Sequence, residues 1–210
     1  MRLARTLPPS AKENSKPFTK IIAASAAGAL LVAIGIVFGQ FIRHSSELDP
    51  VPVGGPFELV DQDDHAVNDK SFLGRPSVIL FGYTSCPDVC PTTLMDVSNW
   101  LKAIGTLADK LNVLFISIDP ERDTPNHLRE FLSSFDPRIR GLTGTTKQIA
   151  AVAKEFRVYY KRVEESDGSY SMDHSGAVYL MDKAGNFVAP LSFQTEDALA
   201  IERLRSLANS

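Results

Sequence analysis

Cysteine is scarce in this chain: 210 residues hold two, Cys86 and Cys90. Four residues apart, they form one chemical device, which either closes a disulfide or offers two thiolates to a soft metal ion. No cysteine follows the apolar run near the amino terminus, which excludes a lipid anchor there. Charge is missing altogether from residues 21–42, and no Ala-x-Ala follows that stretch, as a cleaved signal peptide would require. The small residues Ala23 to Ala27 lie at its wrong end. Basic excess is missing too. Past Arg43 the chain has 16 Lys and Arg against 24 Asp and Glu, a formal charge of −8, which argues against nucleic acid as a partner. Repeats and low-complexity tracts are absent.

What is present begins with that uncharged stretch. Its 22 residues, from Ile21 to Ile42, at about 1.5 Å each would cross a hydrocarbon core of roughly 30 Å. A retained, single-pass transmembrane helix is expected over 21–42, with Gln40 near one end where the interface can hydrate it. Arg2, Arg5, Lys12, Lys16 and Lys20 precede it, while Arg43 is followed by Glu47 and Asp49. The positive-inside bias therefore leaves a basic tail, 1–20, in the cytoplasm and exports the chain beyond Arg43. Residues 43–55 read as a linker rich in Pro and Gly, and 56–210 are enough for one domain with a proper core.

Within that domain, Phe57 to Val60 reads as a short strand before a polar turn at Asp61, Asp63 and Asp64, and Ser77 to Tyr83 as a buried strand. Leu94, Val97, Leu101 and Ile104 recur at helical spacing, with Pro91 as first helical residue and Cys90 at the cap. A second buried strand, Val113 to Ile118, ends at Asp119-Pro120, and Thr124-Pro125 opens a helix through Leu132. A helix over 146–156, strands over 158–163, 176–181 and 187–189, and a last helix capped by Thr195 and running to Leu207 complete the order. Strand and helix alternate and the cysteines sit between the first central strand and its helix, so the expected class is α/β, with a thioredoxin-like layout.

Redox members of that layout space their cysteines as Cys-x-x-Cys, whereas three residues, Pro87-Asp88-Val89, intervene here. One backbone turn can then aim both sulfurs at a common point, and the adjoining helix N-terminus favours thiolates. On spacing alone, a disulfide and a metal pair stand equal. Two thiolates select thiophilic ions, of which Cu(I) is the usual exported cargo. A third donor is sought among four histidines, and His174, in Met172-Asp173-His174-Ser175 just before a strand, is the candidate. Its second ring nitrogen would remain for an orienting hydrogen bond.

Cys86-Pro87-Asp88-Val89-Cys90-Pro91, then Ile116-Ser117-Ile118-Asp119-Pro120-Glu121-Arg122-Asp123-Thr124-Pro125, then Asp173-His174-Ser175 ahead of Tyr179-Leu180 resemble the Sco/SenC family. The resemblance spans roughly Pro56 to Leu207. It implies a thioredoxin-like copper chaperone, anchored in the membrane, that assists assembly of the binuclear copper centre of cytochrome c oxidase. It implies Cys86, Cys90 and His174 as ligands of one copper ion per domain, Cu(I) or Cu(II), and Asp119 as a residue near the site that makes no direct bond to the metal. The implied partners are the oxidase subunit that carries that centre and other copper chaperones. With no long Arg- and Ser-rich presequence, a bacterial inner membrane with the domain in the periplasm is expected over a mitochondrial inner membrane facing the intermembrane space.

Plainer roles stand beside these. His44, His65 and His127 read as solvated or packed side chains, Met172 as packing, and Trp100 with the Leu94 to Ile104 stripe as core. Asp119, Arg122 and Asp123 read equally as strand-terminating and helix-capping residues, and Asp88 as a cap. The rival function is a thiol–disulfide oxidoreductase that keeps acceptor cysteines reduced, with Cys86 attacking and Cys90 resolving. A peroxiredoxin-type peroxidase is weaker, because its Pro-x-x-x-Thr-x-x-Cys pattern surrounds neither cysteine.

Overall fold

Six consecutive buried residues, Ser77–Gly82, form the strand around which the domain is built. A strand buried on both faces needs cover from both, and the residue alternation assigns that cover. The computed structural model describes residues 35–36, 52–192 and 194–210. Apart from the dipeptide at 35–36, the expected tail and membrane span lie outside the described residues, as does the linker before Pro52. Among the described residues no helix is long and apolar enough to cross a membrane. The unit Pro52–Ser210 is compact.

In chain order its elements are β1 (Glu58–Asp61), β2 (Ala66–Asn68), β3 (Ser77–Gly82), α1 (Val89–Ile104), β4 (Asn112–Ser117), α2 (Pro125–Leu132), β5 (Ile139–Thr143), α3 (Thr146–Glu155), β6 (Tyr160–Glu164), β7 (Tyr170–His174), β8 (Ala177–Met181), β9 (Phe187–Ser192) and α4 (Asp197–Ala208). The main sheet runs β2-β1-β5-β4-β3-β8-β9, and β6 and β7 pair separately as a small hairpin. β3, β4 and β5 are parallel, as helical crossovers require, and β8 joins β3 antiparallel. Val78 and Leu80 face a core shared with α1, α2 and α4, while Ile79 and Phe81 face one shared with α3 and the rings of Phe57, Phe156 and Tyr179. The architecture is a mixed α/β, thioredoxin-type fold, as expected.

Local chemistry sets the helix ends. Thr124 caps α2 through the His127 N–H, and Thr145 and Gln148 form a capping box on α3. α1 starts at Val89, two residues earlier than Pro91 suggested, so Cys90 lies inside the first turn, where a following proline costs no intrahelical bond. Asp88 holds the N-cap position without a side-chain cap bond. Thr195 does not cap α4: its hydroxyl accepts the Ser192 N–H at 2.9 Å and closes a turn, leaving Glu196 as the N-cap. β1 extends through Asp61, which sequence assigned to the turn; its buried carboxylate accepts N–H groups of Asp63 and His65 at 2.9 Å and pairs with Arg140 at 2.8 Å.

β2, β5 and β7 were not anticipated. β5 carries Arg140, which leans to Asp61, and Gly141, where an added methyl would lie 2.7 Å from Leu132 and would push α2 off the sheet.

Leu94 is fully buried on the helix that carries Cys90. Leu94→Ala should destabilise the domain by about 2–5 kcal/mol, measured by urea unfolding of the copper-free protein; a cost below about 1 kcal/mol would contradict the packing described.

Candidate metal centre

β3 ends at Gly82, and Tyr83-Thr84-Ser85 carry the chain to Cys86 at the mouth of α1. A buried carboxylate fixes this turn. Asp123, wholly enclosed, accepts the Thr84 N–H at 3.0 Å, the Thr84 hydroxyl at 2.5 Å and the Ser117 hydroxyl at 2.6 Å. It thereby ties the cysteine loop to the end of β4 rather than capping α2. Burial pushes the Asp123 pKa up, and the Ser117 and Thr84 hydrogen bonds oppose that shift.

Both thiols are free. Cys86 is half-buried, and its sulfur accepts the Cys90 N–H at 3.4 Å, in the place an N-cap oxygen would normally take. Cys90 is buried, with its sulfur above Gly82: a methyl there would stand 2.9 Å from Sγ and 2.8 Å from Phe115. The expectation that the helix terminus favours both thiolates fails at Cys90. Burial pushes this thiol well up from its ordinary 9.0, the neighbouring Cys86 and Asp123 push the same way, and a hydrogen bond from the Tyr83 backbone only partly opposes them. Desolvation outweighs the helix dipole, which acts within one turn and is worth about 1 kcal/mol.

His174 ends β7, 84 residues on, and its Nε2 lies 3.6 Å from Cys90 Sγ. Its Nδ1 is 3.1 Å from the Ser175 carbonyl oxygen. A carbonyl only accepts, so this bond requires the proton on Nδ1; in the neutral ring the lone pair is then on Nε2, the nitrogen beside the sulfur. Tyr83 meets the His174 ring edge-on, centroids 6.0 Å apart. A cavity of about 20 Å³ opens at this point, lined in part by Val89, Cys90, Thr93, Phe115, His174 and Gly176.

The other candidates fall elsewhere. Asp119 is buried and pairs with Arg122 Nε, and it accepts the Tyr170 hydroxyl at 2.9 Å. Among the described residues it makes no hydrogen bond to Cys86, Cys90 or His174. Met172 is buried in the core. His65 is exposed beside Asp61, His127 is exposed on α2, and His44 lies outside the described residues. Gly82 and Asp123 were not singled out for the site. A glycine closing an otherwise apolar strand was the available signal for Gly82, since such glycines mark close approach.

The family model for SCO1/SenC matches residues 45–209. The chain belongs to the SCO1/SenC family. A SCO2-like protein of Rickettsia prowazekii is 38% identical over 169 residues, which cover 77% of this chain and 81% of the relative. ScoI of Bradyrhizobium japonicum, solved with copper bound, is 50% identical at a TM-score of 0.70, over 74% of this chain and 99% of that one. Yeast Sco1 with copper bound is 37% identical at a TM-score of 0.68, over 76% and 90%. In this SCO1/SenC chain a buried thiol, a half-buried thiol and an imidazole come together, a combination of soft and borderline groups that could hold a thiophilic ion.

Two outcomes test the seating of Cys90. Gly82→Ala should cost about 1–3 kcal/mol by overpacking the sulfur and Phe115, read as a lower urea midpoint; an unchanged midpoint would place the sulfur elsewhere. Folding raises the Cys90 pKa, so its contribution to stability is fully present below about pH 9 and is lost as pH rises beyond it. The midpoint of the copper-free protein should fall from about pH 9 to about pH 10, and Cys90→Ala should flatten that decline; equal slopes would contradict a desolvated thiol.

Proposed function

We propose that this protein is a membrane-anchored copper chaperone that accepts one copper ion at Cys86, Cys90 and His174. It hands that ion to the cytochrome c oxidase subunit carrying the binuclear copper centre. The observation that carries the reading is the 3.6 Å between Cys90 Sγ and His174 Nε2. With bonds of about 2.3 Å to sulfur and about 2.0 Å to nitrogen, a first-row ion spaces two such donors about 3.5 Å apart at a tetrahedral angle and about 3.7 Å at a trigonal one. That spacing supports entry of an ion with little movement of the chain. The copper bound by ScoI and by yeast Sco1 supports the choice of metal.

The copper is cargo, and the protein's own groups govern its capture. Cys90 enters as a thiol and must surrender its proton, so uptake releases protons and affinity rises with pH. The Nδ1–H bond to Ser175 keeps Nε2 free to accept the ion without rotation of the ring. A site of few ligands lets an acceptor thiol or imidazole attack before a donor bond breaks. The uncharged span at 21–42 supports an anchor, a cytoplasmic tail 1–20, a linker 43–55 and an exported domain 56–210 in the periplasm.

A second reading, thiol–disulfide exchange on acceptor cysteines, is favoured by one observation: Cys86 is a free, half-buried thiol at the mouth of the loop, within reach of a partner disulfide.

Copper titration of the reduced full chain in detergent, against a chromophoric Cu(I) chelator, tests the first reading. One equivalent should bind. Cys86→Ser and Cys90→Ser should abolish tight binding, and His174→Ala should weaken it by about a hundredfold or more, beyond what loss of an outer partner costs. Unchanged binding in His174→Ala would remove the imidazole from the site, and rapid turnover of a disulfide substrate by copper-free protein would favour the exchange reading.

A further inference from the structure

The two sulfurs stand at the end of the main sheet and on α1, whereas the imidazole stands on the separate β6–β7 hairpin. Among the described residues β7, which ends in His174, pairs only with β6, and this hairpin is not part of the main sheet. No sheet ladder therefore holds the ring at 3.6 Å from Cys90. Met172 gives the hairpin an apolar tether in the core. At the opposite end of β7 the tether is polar.

Arg122 Nη1 donates to the Tyr170 carbonyl oxygen at 2.9 Å, and its guanidinium carbon lies 3.7 Å from the centre of the Tyr170 ring. The same guanidinium carbon lies 5.6 Å from the centre of the Tyr83 ring, the ring that meets His174 edge-on. Nε pairs with the buried Asp119 carboxylate, whose other oxygen accepts the Tyr170 hydroxyl at 2.9 Å, and the Asp119 N–H is tied to the Ser117 hydroxyl at 3.0 Å. One side chain thus joins the end of β4, the cysteine loop and the start of β7.

Nη2 is shielded from solvent and has no hydrogen-bond partner among the described residues. A guanidinium needed only for its charge would turn that group to water. Here the plane is set by the tyrosine rings and the β7 carbonyl, a role that requires a flat, stackable cation rather than a lysine. Arg162, above the outer side of the Tyr170 ring at 3.5 Å, is exposed and pairs with Glu121 and Glu164, so it belongs to the hairpin's solvated surface.

We propose that Arg122 is a positioning residue for His174: it clamps the β6–β7 hairpin against the cysteine loop and holds the imidazole beside Cys90. The proposal rests on the copper reading above and extends it to a residue that touches no metal. Loss of the clamp lets the hairpin part from the loop, which removes the nitrogen donor while leaving both sulfurs in place.

A double-mutant cycle on the full chain in detergent tests this, with copper affinity as readout. Arg122→Gln should weaken copper by roughly tenfold, in the range set by outer partners of metal ligands. Combined with His174→Ala it should add nothing to the loss caused by His174→Ala alone. Cu(II) electron paramagnetic resonance of Arg122→Gln should show a diminished nitrogen coupling that free imidazole restores, and Arg122→Lys should not rescue. Additive losses in the cycle, or an Arg122→Gln affinity equal to wild type, would overturn the clamp. If Arg122→Gln does not fold, judged by thermal unfolding, Tyr170→Leu takes its place in the cycle with the same outcomes. If wild type takes up no copper, the copper reading fails by itself; amide exchange at residues 170–174 in the copper-free chain then decides the clamp, since Arg122→Gln must accelerate it and an unchanged rate sinks it.

Discussion

The Cys90 sulfur is buried over Gly82, where a thiolate has little water to stabilise it. That desolvation shapes its surroundings. A side chain at position 82 would occupy the sulfur's place, so β3 must finish on glycine. A metal reaching Cys90 must supply the stabilisation that water does not, because the proton leaves only when a cation replaces it. A neutral His174 with its lone pair on Nε2 is the matching second donor: an imidazolium at that position would repel the ion and offer no lone pair.

The loop that presents the sulfurs is fixed from beneath by Asp123, and the choice of a carboxylate there has a physical reason. Three donors from two elements, the Thr84 amide, the Thr84 hydroxyl and the Ser117 hydroxyl, converge on it. One acceptor group with two oxygens satisfies all three, which an amide or a hydroxyl does less well. Removing it would leave buried donors unpaired, at about 1–3 kcal/mol each. The thiols therefore stand on a rigid base while the imidazole stands on a two-stranded hairpin. On the proposed chaperone reading that asymmetry suits an ion in transit, since exchange proceeds most readily through the donor whose support yields first.

Much of this was legible in the sequence because it rests on local pattern. The uninterrupted apolar runs of β3 and β4 announce strands covered on both faces, and the spacing of Leu94, Val97, Leu101 and Ile104 announces α1. What escaped was decided by tertiary contact. β5 reads Ile-Arg-Gly-Leu-Thr, and neither its arginine nor its glycine suggests a strand until Asp61 supplies the partner and α2 the close approach. β7, Tyr-Ser-Met-Asp-His, is polar because it lies outside the main sheet. The meeting of His174 with Cys90 was legible from its place before a strand of the expected fold and from the family resemblance, since no periodicity links residues so far apart in the chain. The thiol pKa ran opposite to expectation because position in a helix can be read from sequence, whereas depth of burial cannot.

The same burial weighs between the two readings of the cysteine pair. Fast thiol–disulfide exchange needs an accessible thiolate and a resolving thiol that ionises near ambient pH. Cys86, half-buried, is the more accessible of the two thiols. Cys90 does not meet the second condition, because desolvation holds its proton far above neutral pH, and a thiol in that state resolves a mixed disulfide slowly. A metal ion reverses the balance, since a cation placed between the sulfurs offsets the charge that burial penalises. The arrangement thus penalises Cys90 as a redox group in proportion to how deeply it is buried, and rewards it as a ligand for the same reason.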